Sequence, residues 1–267
     1  MAVLISHESP ISLLSESVNY NDYDYILVHL LEQEPEYLEF FKNNCNLGRR
    51  SIMDTSIFEL GTAFNTEKYA QWVEELQPTE YILPDVLENC NETIENSNLF
   101  KSKYSVNLKG KTIGVVQGKN YEEVKACYKT LDKVINVDKI AISFDYAFYT
   151  SLYYHPNVWV QFMMGRVALI NKLLVEGIIN TKKPHHLLGC SNPMEFEFYK
   201  HRYYNFIESV DTSSPIVHGL HNIVYSGQIG DWKKITVKLA DLINAKPTKE
   251  NLICIKKNIE LFRNYVN

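Results

Sequence analysis

The chain has 267 residues, of which 45% are hydrophobic and 22% charged, with a formal net charge of -5. That length is close to the roughly 250 residues of a single β/α barrel and supplies ample material for a large core. The acidic balance argues against non-specific coating of nucleic acid, and the lysines at Lys101, Lys103, Lys109, Lys111, Lys182 and Lys183 read first as solvated loop positions.

Apolar runs alternating with helix-like segments predict about eight strands. The first is Ala2 to Ser6 and the second Tyr25 to Leu31. A helix-like segment from Pro35 to Asn43 leads to a third strand, Ser51 to Met53. The spacing of Tyr69, Trp72, Val73 and Leu76 predicts a helix from Thr66 to Leu76, with Thr66 as its cap. Glu80 to Pro84 reads as the fourth strand and Thr112 to Val116 as the fifth. A helix from Tyr121 to Val134 returns to the sixth, Lys139 to Phe144. A long helix from Val158 to Glu176 ends at Gly177. His185 to Leu188 is the seventh strand, and Pro193 opens the next helix with Ser191 or Asn192 as cap. Phe206 to Val210 is the eighth strand, followed by helices from Trp232 to Asn244 and from Lys249 to Val266.

Eight such units predict an α/β fold, a (β/α)8 TIM barrel forming one domain over residues 1–267 with extra C-terminal helices. A doubly wound open sheet is the structural alternative, weakened by the lack of a glycine-rich phosphate loop. Met1 to Ile5 is too short for the apolar part of a signal peptide, and no uninterrupted apolar stretch suggests a membrane span. The five cysteines are scattered without C-x-x-C spacing, so a cytoplasmic protein without a cysteine metal site is expected.

The acids stand out by position. Asp54, Asp85, Asp145 and Asp211 each follow a short apolar run, and in a barrel every strand end opens on one face. Asp211 can act as nucleophile or base, or it can cap the turn through the amides of Ser213 or Ser214. Asp54 admits the same two readings. Asp85 follows Pro84, which holds the chain extended before the acid. Gln117 ends an apolar strand with an amide that offers donor and acceptor together. Asp145 can orient the pocket or, the favoured reading, cap a helix. The aromatic loop from Tyr146 to His155 can stack on bases through Tyr149, Tyr153 and Tyr154, or form a packed lid. His218 and His221 lack a nearby third ligand, so a loop role is expected.

Several of these residues lie in motifs that resemble one superfamily. Gly114-Val115-Val116-Gln117-Gly118 is similar to the G-I/V-V-Q-G strand of the queuine-type tRNA-guanine transglycosylases. His186-Leu187-Leu188-Gly189-Cys190-Ser191-Asn192-Pro193 resembles their Y-L-M-G-x-G-T/S-P segment. Asp211 with Pro215 matches the spacing of F-D-x-x-x-P, Asp54 to Phe58 resembles D-S-G-G-F/Y, and Asp85 takes the place of the fourth-strand Asp. The order is kept from Ser51 to Pro215. The departures are Ser56-Ile57 in place of paired glycines, the lack of Thr-Arg after Pro215, and the lack of the C-x-C-x-x-C…H zinc site. The compact form, with Ile5-Ser6-His7-Glu8-Ser9-Pro10 at the first strand, looks more like the phage-type DNA-guanine transglycosylases (the DpdA group).

The resemblance implies a pentosyltransferase, phage-encoded and working in the host cytoplasm. It exchanges guanine in DNA for a free 7-deazaguanine such as preQ0 (7-cyano-7-deazaguanine), with no metal or other cofactor. It implies Asp211 as nucleophile at C1′ and Asp54 as general acid and base. Asp85, Gln117, the Ser143 amide, Phe58, Leu188 and Gly189 would bind the base, with all three acids in one pocket. A flipped-out or single-stranded nucleotide is needed to reach such a pocket. The tyrosine-rich surface is compatible with a homodimer. The alternatives are the same chemistry on tRNA, a barrel nucleoside or glycoside hydrolase that also uses two carboxylates, and an inactive binding protein on the same scaffold.

Overall fold

The computed structural model describes residues 2–190, 192–225 and 234–267. It contains eight parallel strands in one sheet: β1 (Leu4–Ser6), β2 (Asp24–Leu27), β3 (Ser51–Asp54), β4 (Glu80–Ile82), β5 (Lys111–Val115), β6 (Lys139–Ser143), β7 (His185–Leu188) and β8 (Ile207–Asp211). Their order is β1-β8-β7-β6-β5-β4-β3-β2, the strand order of a (β/α)8 barrel. The helices are α1 (Leu14–Ser17), α2 (Val28–Gln33), α3 (Pro35–Asn46), α4 (Ile57–Leu60), α5 (Thr66–Leu76), α6 (Cys90–Phe100), α7 (Tyr121–Thr130), α8 (Tyr149–Leu152), α9 (Val158–Val175), α10 (Ser214–Leu220) and α11 (Lys249–Val266). The α/β class, the barrel strand order and the C-terminal helix therefore agree with the sequence reading.

The chain clusters into two compact units. One comprises Asp22–Ile142 with Lys183–His185, and is called here the Asp85 unit. The other comprises the chain up to Asn21, Ser143–Lys182 and His186–Asn267, and is called the Asp211 unit. In the Asp85 unit β2 pairs with β3 from Asp24↔Ser51 to Leu27↔Asp54, and β4 pairs with β5 from Glu80↔Lys111 to Ile82↔Ile113. Ile26, Ile52, Met53, Ile113, Val116 and Ile140 are fully buried, as expected of near-continuous apolar strands covered on both faces. In the Asp211 unit β1 pairs with β8, placing Ser6 opposite Asp211. There Leu13, Ile216, Ile255 and Ile259 form a core beneath α11.

Several expectations need correction. The run Tyr25–Leu31 is not one strand: β2 ends at Leu27 and α2 takes the rest, since a buried apolar run suits either element. That helix stops at Glu34, extended at φ -129° and ψ 99° before Pro35, as a residue preceding proline prefers. The cap of α5 is Asn65, which accepts from the Lys68 amide, and not Thr66. Helix α6 is too polar to show a clear apolar stripe and escaped the pattern; Asn89 caps it through the Glu92 amide. The helix expected to reach Val134 is α-helical to Thr130, then widens into a π-turn over Leu131–Ile135 that Asn136 ends at φ +52°.

Asn192 caps the segment that Pro193 opens, which is a 3-10 helix over Pro193–Tyr199; Ser191 lies outside the described residues. Of the helix expected over Trp232 to Asn244, Trp232 also lies outside them, and the described part holds one 3-10 turn, Leu239–Leu242. Helix α9 is long and apolar enough, by length and composition, to cross a membrane. In the fold it buries Val160, Leu169, Ile170, Leu173 and the charged Arg166, and Gly165 admits the backbone of Tyr149, which a Cβ would meet at 2.7 Å.

Candidate active site

In the Asp85 unit three consecutive strand ends bring their polar side chains together. Tyr69 on α5 donates to the carbonyls of Met53 and Ile82 at 3.0 and 2.8 Å, tying the end of β3 to that of β4. Asp54, the last residue of β3, accepts from Tyr25 Oη at 2.6 Å through Oδ2 and from the Ser56 amide at 3.0 Å through Oδ1. The turn-capping reading of Asp54 is thus realised on one oxygen, while the other is held by a phenol. Ser56 sits at φ +60°, the backbone conformation that favours glycine, at the place where the resembled loop has one.

Asp85 is buried three residues beyond β4. Its Oδ2 accepts from Gln117 Nε2 at 2.7 Å, and Thr55 Oγ1 lies 3.5 Å from Oδ1 and 3.4 Å from Asp54 Oδ1. Gln117 Oε1 accepts from the Glu88 amide at 2.9 Å, which fixes the amide with its nitrogen toward Asp85. Thr93 on α6 bonds both the amide and the carbonyl of Val86, holding the segment after Asp85. Burial pushes the Asp85 carboxyl up to about 7, the negative charge of Asp54 adds to this, and the Gln117 hydrogen bond opposes it. Asp54, Asp85 and Gln117 are therefore one connected group.

In the Asp211 unit the eighth strand presents Ser209 and Asp211 on one face, two residues apart. Asp211 Oδ1 accepts from His186 Nε2 at 3.0 Å and from the Gly189 amide at 3.1 Å. The other imidazole nitrogen, Nδ1, is 2.9 Å from Ser209 Oγ. The turn-capping alternative for Asp211 is not what forms: Thr212 Oγ1 accepts from the Ser214 amide and donates to the Cys190 carbonyl.

Gly189 has φ +63°, and a Cβ there would stand 2.4 Å from the Phe144 ring. Behind this turn Arg166 donates to the carbonyls of Leu188 and Gly189 at 3.0 and 2.9 Å and grips Glu195 with two bonds of 2.7 and 2.6 Å. Tyr199 donates to the same carboxylate at 2.8 Å. Lys234 Nζ lies 3.9 Å above the Phe144 ring and 5.5 Å from that of Trp159. Burial lowers its amine to about 8, against the opposing charge of Asp145.

The remaining expected residues are placed as follows. Phe58 lies on α4, exposed, and Leu188 is half-buried at the end of β7. The Ser143 amide donates to Tyr146 Oη at 3.3 Å, while its hydroxyl donates to Asp145 at 2.6 Å. Asp145 caps no helix; α8 starts without a side-chain cap. Tyr149 is fully buried and donates to the Ser143 carbonyl, so the expectation that its ring stacks on bases is corrected: it is a packing residue. Tyr153 and Tyr154 remain exposed, at 38% and 86%. His218 Nδ1 donates to the Ser214 carbonyl at 2.8 Å within α10, a local role as expected. Among the described residues no group of three or more His, Cys, Asp or Glu side chains is arranged to hold a metal.

Sequence reasoning passed over Tyr25, Thr55, His186, Ser209 and Arg166. The signal for His186 and Ser209 was a polar side chain on the buried face of a strand, and for Arg166 a charge in the middle of a mostly apolar helix. No protein-family model matches the chain, and no curated protein matches it.

Proposed function

We propose that the protein is a DNA-guanine transglycosylase that replaces guanine with a free 7-deazaguanine base through a covalent Asp211–sugar intermediate. The observation that carries this reading is the Asp85–Gln117 pair. A guanine-like ring offers two adjacent donors, N1–H and the exocyclic amine, beside an acceptor, O6. A carboxylate accepts, and an amide nitrogen with one hydrogen committed to that carboxylate has a second to donate. Asp85 and Gln117 supply that complement at fixed geometry, and Asp54 stands beside them as general acid and base.

Asp211 supports the other half of the reading. It is a strand-end carboxylate oriented by two N–H donors and suited to attack C1′, where an oxocarbenium-like transition state develops positive charge. Phe58 and Leu188 serve as base-packing residues in this reading, and Tyr153 and Tyr154 as contacts for the flipped strand. One N-glycosidic bond replaces another, so the chemistry is isoenergetic.

The test is incubation of the protein with DNA or tRNA and labelled preQ0. Label entering DNA and lost by on the order of a thousand-fold or more in Asp211→Ala supports the assignment. Label entering tRNA alone moves the polymer to RNA. Release of free guanine without incorporation makes the protein a hydrolase, and exchange that survives Asp211→Ala overturns the nucleophile.

A further inference from the structure

Resting on that reading, we infer that His186 is the positioning residue of the nucleophile: with the Gly189 amide it occupies Oδ1 of Asp211, so that Oδ2 is the oxygen that attacks C1′. The argument starts from lone pairs. Each carboxylate oxygen accepts about two hydrogen bonds. Oδ1 receives two, from His186 Nε2 at 3.0 Å and Gly189 N at 3.1 Å, whereas Oδ2 makes none among the described residues. An ionised carboxylate only accepts, so Nε2 carries the hydrogen. In the neutral ring Nδ1 is then the acceptor, and it faces Ser209 Oγ at 2.9 Å.

The donor is therefore set by the strand that carries the nucleophile. Ser209 and Asp211 project from the same face of β8, and His186, wholly buried, bridges them. A partial rotation of the carboxyl group about its Cβ–Cγ bond would break both hydrogen bonds, so the two donors hold one oxygen and leave the other to face the sugar. The second donor is fixed independently, because Arg166 holds the carbonyls of Leu188 and Gly189.

The bond changes follow. Oδ2 bonds to C1′ as the C1′–N9 bond breaks; the C1′–N9 electron pair leaves on guanine, whose N9 is protonated by solvent. Oδ1 becomes the carbonyl oxygen of the sugar ester, still held by both N–H groups. The incoming base gives its N9 proton to solvent, N9 bonds to C1′, and the Oδ2–C1′ pair returns to Asp211. The two donors stabilise the carboxylate as it leaves, so they act on turnover and leave base affinity alone.

Three variants and two readouts test this. In His186→Phe, kcat for labelled preQ0 exchange is expected to fall on the order of a hundred-fold with KM for the base within about two-fold. His186→Gln, which keeps a donor at the Nε2 position, restores kcat to within about ten-fold, and Ser209→Ala gives a smaller fall than His186→Phe. A folded His186→Phe with unchanged kcat, or a Gln variant as impaired as Phe, overturns the proposal. Should His186→Phe fail to fold, the Gln and Ser209 variants decide it on the same criteria. Nitrogen NMR of the imidazole reads the proposal without activity. Hydrogen on Nε2, with a shift that moves in Asp211→Asn, supports it, and an Nε2 without hydrogen overturns it. Absence of exchange in the wild type, or exchange surviving in Asp211→Ala, defeats the transglycosylase reading instead, and the NMR result then stands by itself.

Discussion

Asp85 and Asp211 both follow short apolar strands, yet their surroundings differ in kind. Asp85 is buried near a second carboxylate, Asp54, and accepts from the Gln117 amide at 2.7 Å, with the Thr55 hydroxyl 3.5 Å away. Asp211 meets two N–H donors on one oxygen, His186 and Gly189. The first environment favours the protonated acid; the second supplies directed donors to a single carboxyl oxygen. The same residue type after a barrel strand thus meets two different environments, which the proposed function assigns to two tasks, reading a donor edge and presenting an oxygen for attack.

The largest test of that contrast lies behind Gly189. Arg166→Met leaves Glu195 buried without its cation and is expected to lower stability by about 3–5 kcal/mol, measured by denaturant unfolding. Arg166→Met with Glu195→Leu should recover most of that stability while the exchange activity stays low, because the carbonyls of Leu188 and Gly189 lose their clamp. Gly189→Ala comes next. Its left-handed backbone and the 2.4 Å approach to Phe144 predict a loss of about 1–3 kcal/mol together with reduced activity.

The Asp85 side is probed by pH. Its folded pKa of about 7 lies above the unfolded value near 3.8, so the folded state binds the extra proton between them. Wild-type stability should therefore fall relative to Asp85→Asn as pH rises from about 4 to about 7, and the difference should level off above that. On the proposed function, guanine-type bases are bound by the ionised form of Asp85. Their affinity should rise from pH 6 to pH 8 in the wild type, with proton release seen by calorimetry, and should be weak and flat in Asp85→Asn. The smallest effect is expected of Tyr25→Phe, which removes the 2.6 Å bond to Asp54 and should slow exchange by roughly five-fold, about 1 kcal/mol.

Much of the fold was legible. The bounds of α5 and α11 were read correctly from apolar spacing, and β7 from its short run between Pro184 and Gly189. What failed did so for physical reasons. A buried apolar run such as Tyr25–Leu31 carries no period that separates strand from helix, and α6 folds on caps and neighbours rather than on a stripe of its own. At the candidate site the acids and Gln117 were visible because polar residues at strand ends are conspicuous. Their partners were not: Tyr25 is 29 residues from Asp54, and His186 is 25 from Asp211.

The order of apolar runs, turn residues and strand-end acids along the chain was enough to determine an α/β protein with a barrel's succession of strands, since both depend on local patterns of hydrophobicity. Which oxygen of Asp211 is held, why Asp85 favours its proton, and that Tyr149 packs inside while Tyr154 faces water were decided only by the tertiary structure. Hydrogen bonds and desolvation act over about 3 Å between groups that the chain separates by tens of residues, and no local pattern encodes those meetings.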